Sequence, residues 1–367
     1  MMLTRKINKL KSFYSLYTSG LNRNEVESLL KKDTVDAIAY LQGKSGGKPG
    51  IEGRSSLRTF LKTWKEIFIS FVMRLTPARR LVYGIAFITF FLGLIHQNGL
   101  YLLGSFGLIN FLLVLELVDK LTTRDELEIA REIQVSLQPE HIPDFQLLSF
   151  ATFSKPARVV GGDFFDIIQS DSDKVISILG DVADKGISAA LYAAYVQSMF
   201  QSLSLKNASP TDIFSSLNHL ISKRLRSGDF VTAVIALFDL TEKSVTISRA
   251  GHNWPLFYCY KTREIQELRP KGLSIGTVED RIFDEQLEAK KIYLSSGDLL
   301  LLYSDGVTEA ANADDHMFDI SRLKSAVFES VGQSSKNVID HINHELNDFV
   351  RSGELQDDAT MLAVKIK

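Results

Sequence analysis

Cysteine is nearly absent: the 367 residues contain one, Cys259. A single thiol excludes an internal disulfide framework and any multi-cysteine metal site. Cys259 lies in the apolar run Leu256–Tyr260 and reads as a small buried residue of a strand. An excess of charge of one sign is also missing. With 42 basic and 44 acidic residues the formal charge is −2. That balance gives no field to gather nucleic acid, so no nucleic-acid partner is expected. A secretory signal is not legible either. The first thirty residues scatter Lys and Arg and lack a continuous apolar core before a small-residue cleavage site. The C-terminal half is therefore expected in a reducing compartment.

Charge disappears altogether between Leu81 and Leu115, where no Asp, Glu, Lys or Arg occurs. The stretch splits at His96-Gln97-Asn98-Gly99 into two apolar runs, Leu81–Ile95 and Leu100–Val118. A bilayer needs roughly 20 apolar residues per helix, so the second run fits and the first is slightly short. Thr76-Pro77 suits a helix start, with Thr as cap and Pro in the first turn. The competing reading is an apolar helical pair inside a soluble bundle, but neither run shows a polar face. Two spans put both termini on one side. Lys62, Lys65, Arg74, Arg79 and Arg80 precede the first span and assign that side to the cytoplasm by the positive-inside rule. The expectation is a multi-pass protein of the inner cell membrane, with lipid as one partner.

Upstream, residues 1–80 form a cytoplasmic helical region. It is broken by the flexible cluster Gly43–Gly50 and resumes as a helix through Phe60, Trp64, Ile67, Phe68, Phe71 and Val72. Residues 81–118 hold the two spans. Residues 119–139 form a charged linker helix without Gly or Pro, on which Leu127, Ala130, Ile133 and Leu137 make an apolar stripe. Packing on its own domain is one use of that stripe. A two-stranded coiled coil that makes a homodimer is the other. Residues 140–367 read as one α+β domain. Its strands are expected at Lys174–Leu179, Phe230–Asp239, Ser244–Arg249, Asp298–Tyr303 and Thr360–Lys367. Helices are expected over Ile187–Leu205 and after Ser209-Pro210.

Acidic residues recur at the ends of these apolar runs. Asp163 follows Val159-Val160-Gly161-Gly162, and Asp166 comes three residues later. Asp181 follows Val175–Gly180, Asp305 follows Leu299–Ser304, and Asp357-Asp358 precede the last strand. Each Asp beside a Gly is ordinarily a turn residue. Repetition at four places is the departure. Carboxylates that converge on one rim repel one another, and a hard divalent cation between them removes the conflict.

In order, Gly161-Gly162-Asp163-Phe164-Phe165-Asp166, Gly180-Asp181-Val182-Ala183-Asp184-Lys185-Gly186, Ala250-Gly251-His252-Asn253, Tyr303-Ser304-Asp305-Gly306 and Asp357-Asp358-Ala359-Thr360 resemble the bacterial SpoIIE/RsbU-like branch of the PPM protein phosphatases. The resemblance spans about residues 130–367. It implies a β-sandwich flanked by helices, with two Mn2+ or Mg2+ ions on its rim. Motif by motif, it implies metal ligation by Asp163, Asp181, the Val182 carbonyl, Asp305 and Asp357, with Asp181 bridging. Asp163, Asp181 and Asp305 are thus the implied catalytic core; Asp166, Asp358 and His252 rank second. His252 is a candidate acid for the leaving alkoxide, although its turn context favours a bracing role. Lys185 and Gly186 open a helix whose amides suit an anion, although a solvated lysine is the plainer expectation. Ala183-Asp184 stand where Ser-Gly is common in the family, and Trp254 where Pro is.

The activity implied is hydrolysis of phosphoserine or phosphothreonine on a partner protein, in this branch often an anti-sigma-factor antagonist. Two other readings compete. One is a catalytically silent membrane docking module with a phosphatase fold. The other is a two-metal nuclease or phosphodiesterase, which the near-neutral charge disfavours.

Overall fold

The computed structural model describes residues 57–139, 145–206, 209–351 and 355–367. The helix expected within residues 1–42 and the glycine-rich linker at 43–50 lie outside them. The chain divides into two compact units between Leu121 and Thr122.

The first unit is helical: α1 (Leu57–Arg74), α2 (Pro77–Ile95) and the start of α3 (Gly99–Leu137). Pro77 opens α2 at a position where its missing N–H costs nothing. Thr76 stands at the cap position, but its side chain makes no capping hydrogen bond. The turn between α2 and α3 is built by Asn98, whose Oδ1 accepts from the Leu100 N–H at 3.0 Å. Small residues bring the two helices together. The Ser105 hydroxyl donates to the Ala86 carbonyl at 2.8 Å, and the hydrogen in place of a side chain at Gly93 admits Leu102. Such small contacts are what helices use where lipid removes the hydrophobic drive to associate. Arg79 ties the open end of the hairpin, pairing with Glu116 at 2.9 Å and Asp119 at 2.7 Å. Both α2 and α3 are long and apolar enough to cross a membrane. With no Gly or Pro after Gly107, α3 runs unbroken through the residues expected as a separate linker helix.

The second unit is a four-layer α/β/β/α sandwich. One sheet has the order β1-β10-β9-β6-β7, from β1 (Leu148–Lys155), β6 (Leu256–Cys259), β7 (Glu264–Glu267), β9 (Leu299–Tyr303) and β10 (Ala359–Ile366). The other has the order β2-β3-β4-β5-β8, from β2 (Phe164–Asp171), β3 (Lys174–Val182), β4 (Val231–Asp239), β5 (Ser244–Ala250) and β8 (Ala289–Tyr293). All pairings within them are antiparallel. Between the sheets lie Phe165, Val175, Leu179, Val234, Leu300, Leu302, Leu362 and Val364. The alternate residues face outward and are covered as well. Ile176, Ile178 and Ile235 pack under α4 (Ile187–Ser204), α5 (Pro210–Ile221) and α6 (Asp280–Gln286). Leu299, Leu301, Met361 and Ala363 pack under α7 (Asp319–Ser330) and α8 (Ser335–Val350). Burial on both faces explains why the central strands read as continuous apolar runs rather than alternating ones. Helix α5 starts at a full capping box, in which Ser209 and Asp212 each bond the other's backbone. Cys259 is half-buried at the end of β6 rather than sunk in the core.

The final turns of α3 belong to this unit. Leu127, Ala130 and Leu137 are partly covered, whereas Ile133 is 58% exposed. Gln134 takes the inward place beside them. Its side-chain amide donates to the Gly161 carbonyl at 2.8 Å, and its Oε1 accepts from the Gly161 N–H at 3.3 Å. The stripe expected from spacing is therefore split between two faces, because a glutamine finds backbone partners that an isoleucine lacks.

Candidate metal centre

Two antiparallel strand pairs, one from each sheet, build the site. In the first, Phe164 at the start of β2 pairs with Gly180 near the end of β3, which sets Asp163 beside Asp181. In the second, Tyr303 at the end of β9 pairs with Met361 near the start of β10, which sets Asp305 beside Asp357. The two are stitched together by Ser304. Its hydroxyl donates to Asp163 Oδ2 at 2.7 Å and accepts from the Thr360 N–H at 2.9 Å. Close backbone approach needs the glycines. A methyl group on Gly162 would sit 3.0 Å from both the Asp181 carboxylate and the Val182 carbonyl, and one on Gly306 would run into the Asp358 backbone.

These carboxylates sense one another. Asp163 is buried, and desolvation together with Asp181 holds its proton affinity well above the usual carboxylate range. Asp181 is pushed up to about 8 by burial, then by Asp305, Asp357 and Asp358. Asp305 is raised by burial, then by Glu309 and Asp357. Buried acids raised by each other are a site short of positive charge. The donors are all oxygens, and Gly162 leaves the Asp181 carboxylate and Val182 carbonyl uncovered. Among the described residues no three carboxylate, imidazole or thiolate groups close on one point. The fit rests on donor chemistry instead: oxygen ligands short of positive charge suit a hard cation that keeps part of its water. Divalent metal therefore fits these residues.

The second-rank residues separate. Asp166 leaves the rim: its carboxylate accepts from Gln201 Nε2 at 2.7 Å and its own strand's Ile167 N–H at 2.8 Å, beneath α4. Burial raises its proton affinity there. Asp358 faces the opposite side of the loop from Asp357. It accepts from the Ala157 N–H at 2.8 Å and the Gly162 N–H at 2.6 Å, and so fixes the turn that carries Asp163. His252 borders the cavity but is 5% exposed, with Nδ1 2.9 Å from the Thr232 hydroxyl and no partner for Nε2. Burial drives its pKa down to about 3, so the ring is neutral at physiological pH. Lys185 differs from the expected solvated lysine: its ammonium pairs with Asp357 Oδ2 at 2.6 Å. Sequence reasoning passed over Ser304, Thr232 and Gln134. Only Ser304 left a signal, standing next to Asp305 in its motif.

The family model for stage II sporulation protein E matches residues 171–367. Among curated proteins the chain is similar to the phosphoserine phosphatase RsbU of Bacillus subtilis, 28% identical over 250 residues that cover 66% of this chain and 71% of that one. It is also similar to the phosphoserine phosphatase RsbP of the same organism, 24% identical over 252 residues covering 68% and 59%. Among solved structures the fold matches the SiaA PP2C domain of Pseudomonas aeruginosa with a TM-score of 0.59 and 19% identity, covering 68% of this chain and 98% of that domain. The PP2C domain of SpoIIE from Bacillus subtilis matches with a TM-score of 0.53 and 17% identity, covering 61% and 64%. The matched segment takes in more than half of the sequence and carries Asp181, Asp305 and Asp357 on one rim of a PP2C-type sandwich, and the chain belongs to the SpoIIE family.

Proposed function

We propose that this chain is a membrane-tethered, metal-dependent phosphatase that removes phosphate from serine or threonine of a partner protein. The observation that carries the reading is the meeting of Asp181, Asp305 and Asp357 at one cavity, with Asp163 set beside Asp181 by the β2–β3 pairing. Asp163, Asp181, the Val182 carbonyl, Asp305 and Asp357 would hold two divalent ions, Mn2+ or Mg2+. Such ions supply neutralising charge for the phosphoryl oxygens and a water acidified for attack near neutral pH.

The chain's own residues do the rest. Ser304 and Asp358 fix the Asp163 turn from opposite sides, so the carboxylate is placed before substrate arrives. The neutral His252 braces Thr232, whose hydroxyl also reaches the Asp181 carbonyl at 3.4 Å. The ring holds the loop that borders the cavity, and its low pKa argues against a role as a protonated acid. The partner proposed is a small phosphorylated signalling protein, of the anti-sigma-factor antagonist kind that the motif resemblance implies. Helices α2 and α3 support tethering in the inner membrane with the phosphatase domain in the cytoplasm. The exposed Ile129 and Ile133, four residues apart on α3, support a homodimer through residues 119–139.

The test is release of phosphate from a phosphoserine protein and from a phosphodiester, with Mn2+, with Mg2+ and with chelator. Metal-dependent turnover of the phosphoprotein alone is expected. Turnover of the phosphodiester alone, or turnover that survives chelation, would overturn the reading.

A further inference from the structure

The cavity beside the rim is about 300 Å³ and is lined by Asp181, Asp184, Asp305 and Asp357 among others. Lys185 is the one lysine or arginine among its lining residues. It stands just before α4, preceded by Asp184 and followed by Gly186, whose φ of +86° turns the chain into the helix. From there the side chain crosses to a loop more than 170 residues away in sequence. Its Nζ lies 2.6 Å from Asp357 Oδ2 and donates to the Gln356 carbonyl at 3.0 Å. Its charge also favours the ionised form of Asp305.

A lysine left to itself keeps its rotamer freedom, and pinning it costs side-chain entropy. Here two contacts hold it over the cavity although 47% of the side chain is exposed. The partner is not an arbitrary surface acid but one of the residues assigned above to metal. An ammonium and a divalent ion cannot share one carboxylate oxygen without repelling each other. When metal takes Asp357 Oδ2, the ammonium is displaced from that oxygen. The tether at Lys185 Cα leaves it in the same cavity, where the phosphoryl oxygens of a bound substrate would offer an acceptor.

Building on the phosphatase reading, we propose that Lys185 exchanges partners: it occupies Asp357 against metal, and on metal loading it contacts the phosphoryl oxygens of the substrate. The proposal makes two effects of opposite sign. Removing the ammonium removes a competitor and strengthens metal binding. It also removes a phosphate contact and weakens substrate binding. A merely structural lysine would not do both.

The experiment uses the full chain in detergent, as wild type, Lys185→Met and Lys185→Arg. Mn2+ binding is measured by isothermal titration calorimetry without substrate, and kcat and KM are measured on a phosphoserine protein. Lys185→Met is expected to bind Mn2+ about three- to fivefold more tightly, the scale of a half-exposed ion pair. Its KM is expected to rise about tenfold, the scale of one hydrogen bond to a charged group. Lys185→Arg keeps the charge and should return both quantities toward wild type. Unchanged Mn2+ affinity in Lys185→Met overturns the proposal, as does an unchanged KM. Asp357→Asn separates the two levels of argument. If it loses Mn2+ affinity while Lys185→Met matches wild type, the phosphatase reading stands and the exchange does not. If the wild-type chain binds no Mn2+, both fall.

Discussion

The helical hairpin and the sandwich use the same side chains in opposite ways. Leu81, Ile95, Leu100 and Phe106 of the hairpin are 63–76% exposed, whereas Leu299–Leu302 of the sandwich are wholly buried. Both stretches are continuous apolar runs. The difference lies in what surrounds them. The run in β9 is satisfied by two protein layers, one on each face of its sheet. Among the described residues the runs in α2 and α3 have no such cover, and a lipid phase is the cover proposed for them. The polar groups reverse in the same way. The hairpin spends the two ion pairs of Arg79, with Glu116 and Asp119, on closing its end. The sandwich gathers like charges on a rim, which is unfavourable until a cation joins them.

That contrast can be broken at the rim first. Replacing Asp181 by Asn is expected to lower kcat/KM on a phosphoserine protein by at least about 10³-fold, since its carboxylate stands at the centre of the ligand set. Membrane retention should be unchanged in the same preparation. Comparable loss of both would mean that the two units are not independent in function. The hairpin is tested by Leu103→Arg. A central charge costs about 3 kcal/mol on insertion scales, so the variant should move from the membrane to the soluble fraction on fractionation. Phosphatase activity of the displaced chain should persist.

A pH titration sharpens the account of the rim. The fold raises the pKa of Asp181 from 3.8 to about 8, so it favours the protonated acid. Ionisation in the folded state therefore costs stability. That cost is absent below the ordinary value, grows as pH rises through the window, and is complete above about 8. In chelated buffer the wild type should lose stability as pH climbs from 4 to 8. Asp181→Asn carries no such charge and should melt about 4–8 °C higher than wild type at pH 8, on the scale of ~2 kcal/mol. The two should converge at pH 4, and saturating Mn2+ should reverse their order by stabilising only the wild type. The smallest effect concerns the helix that joins the units. Ile133→Asp touches no proposed ligand, yet is expected to change activity about two- to tenfold, or self-association by light scattering, if α3 carries a coupling or a dimer contact. Unchanged values for both would leave that face without a role.

Much of this was legible in the residues. The break at His96–Gly99 divides the two apolar helices, and the strand at Ser244–Arg249 appears one residue longer, as Ser244–Ala250. Local rules suffice there, because a turn or an apolar run is decided by neighbours in sequence. The five short motifs marked the site for the same reason, each being a strand end with its own glycine or turn. Asp166 and Asp358 could not be sorted from their neighbours in that way. One residue of shift along a strand reverses the face to which a side chain points, and only pairing with β3 and cover by α4 sends Asp166 inward.

By itself, then, the order of amino acids determined the two apolar spans, the strands and the acidic turns, since each follows from interactions a few residues long. Tertiary structure alone decided which acids share a rim, that Ser304 bridges the two strand pairs, and that Lys185 lies on Asp357. Those contacts join residues more than 50 positions apart, and their energies depend on burial and mutual distance, which no stretch of sequence carries.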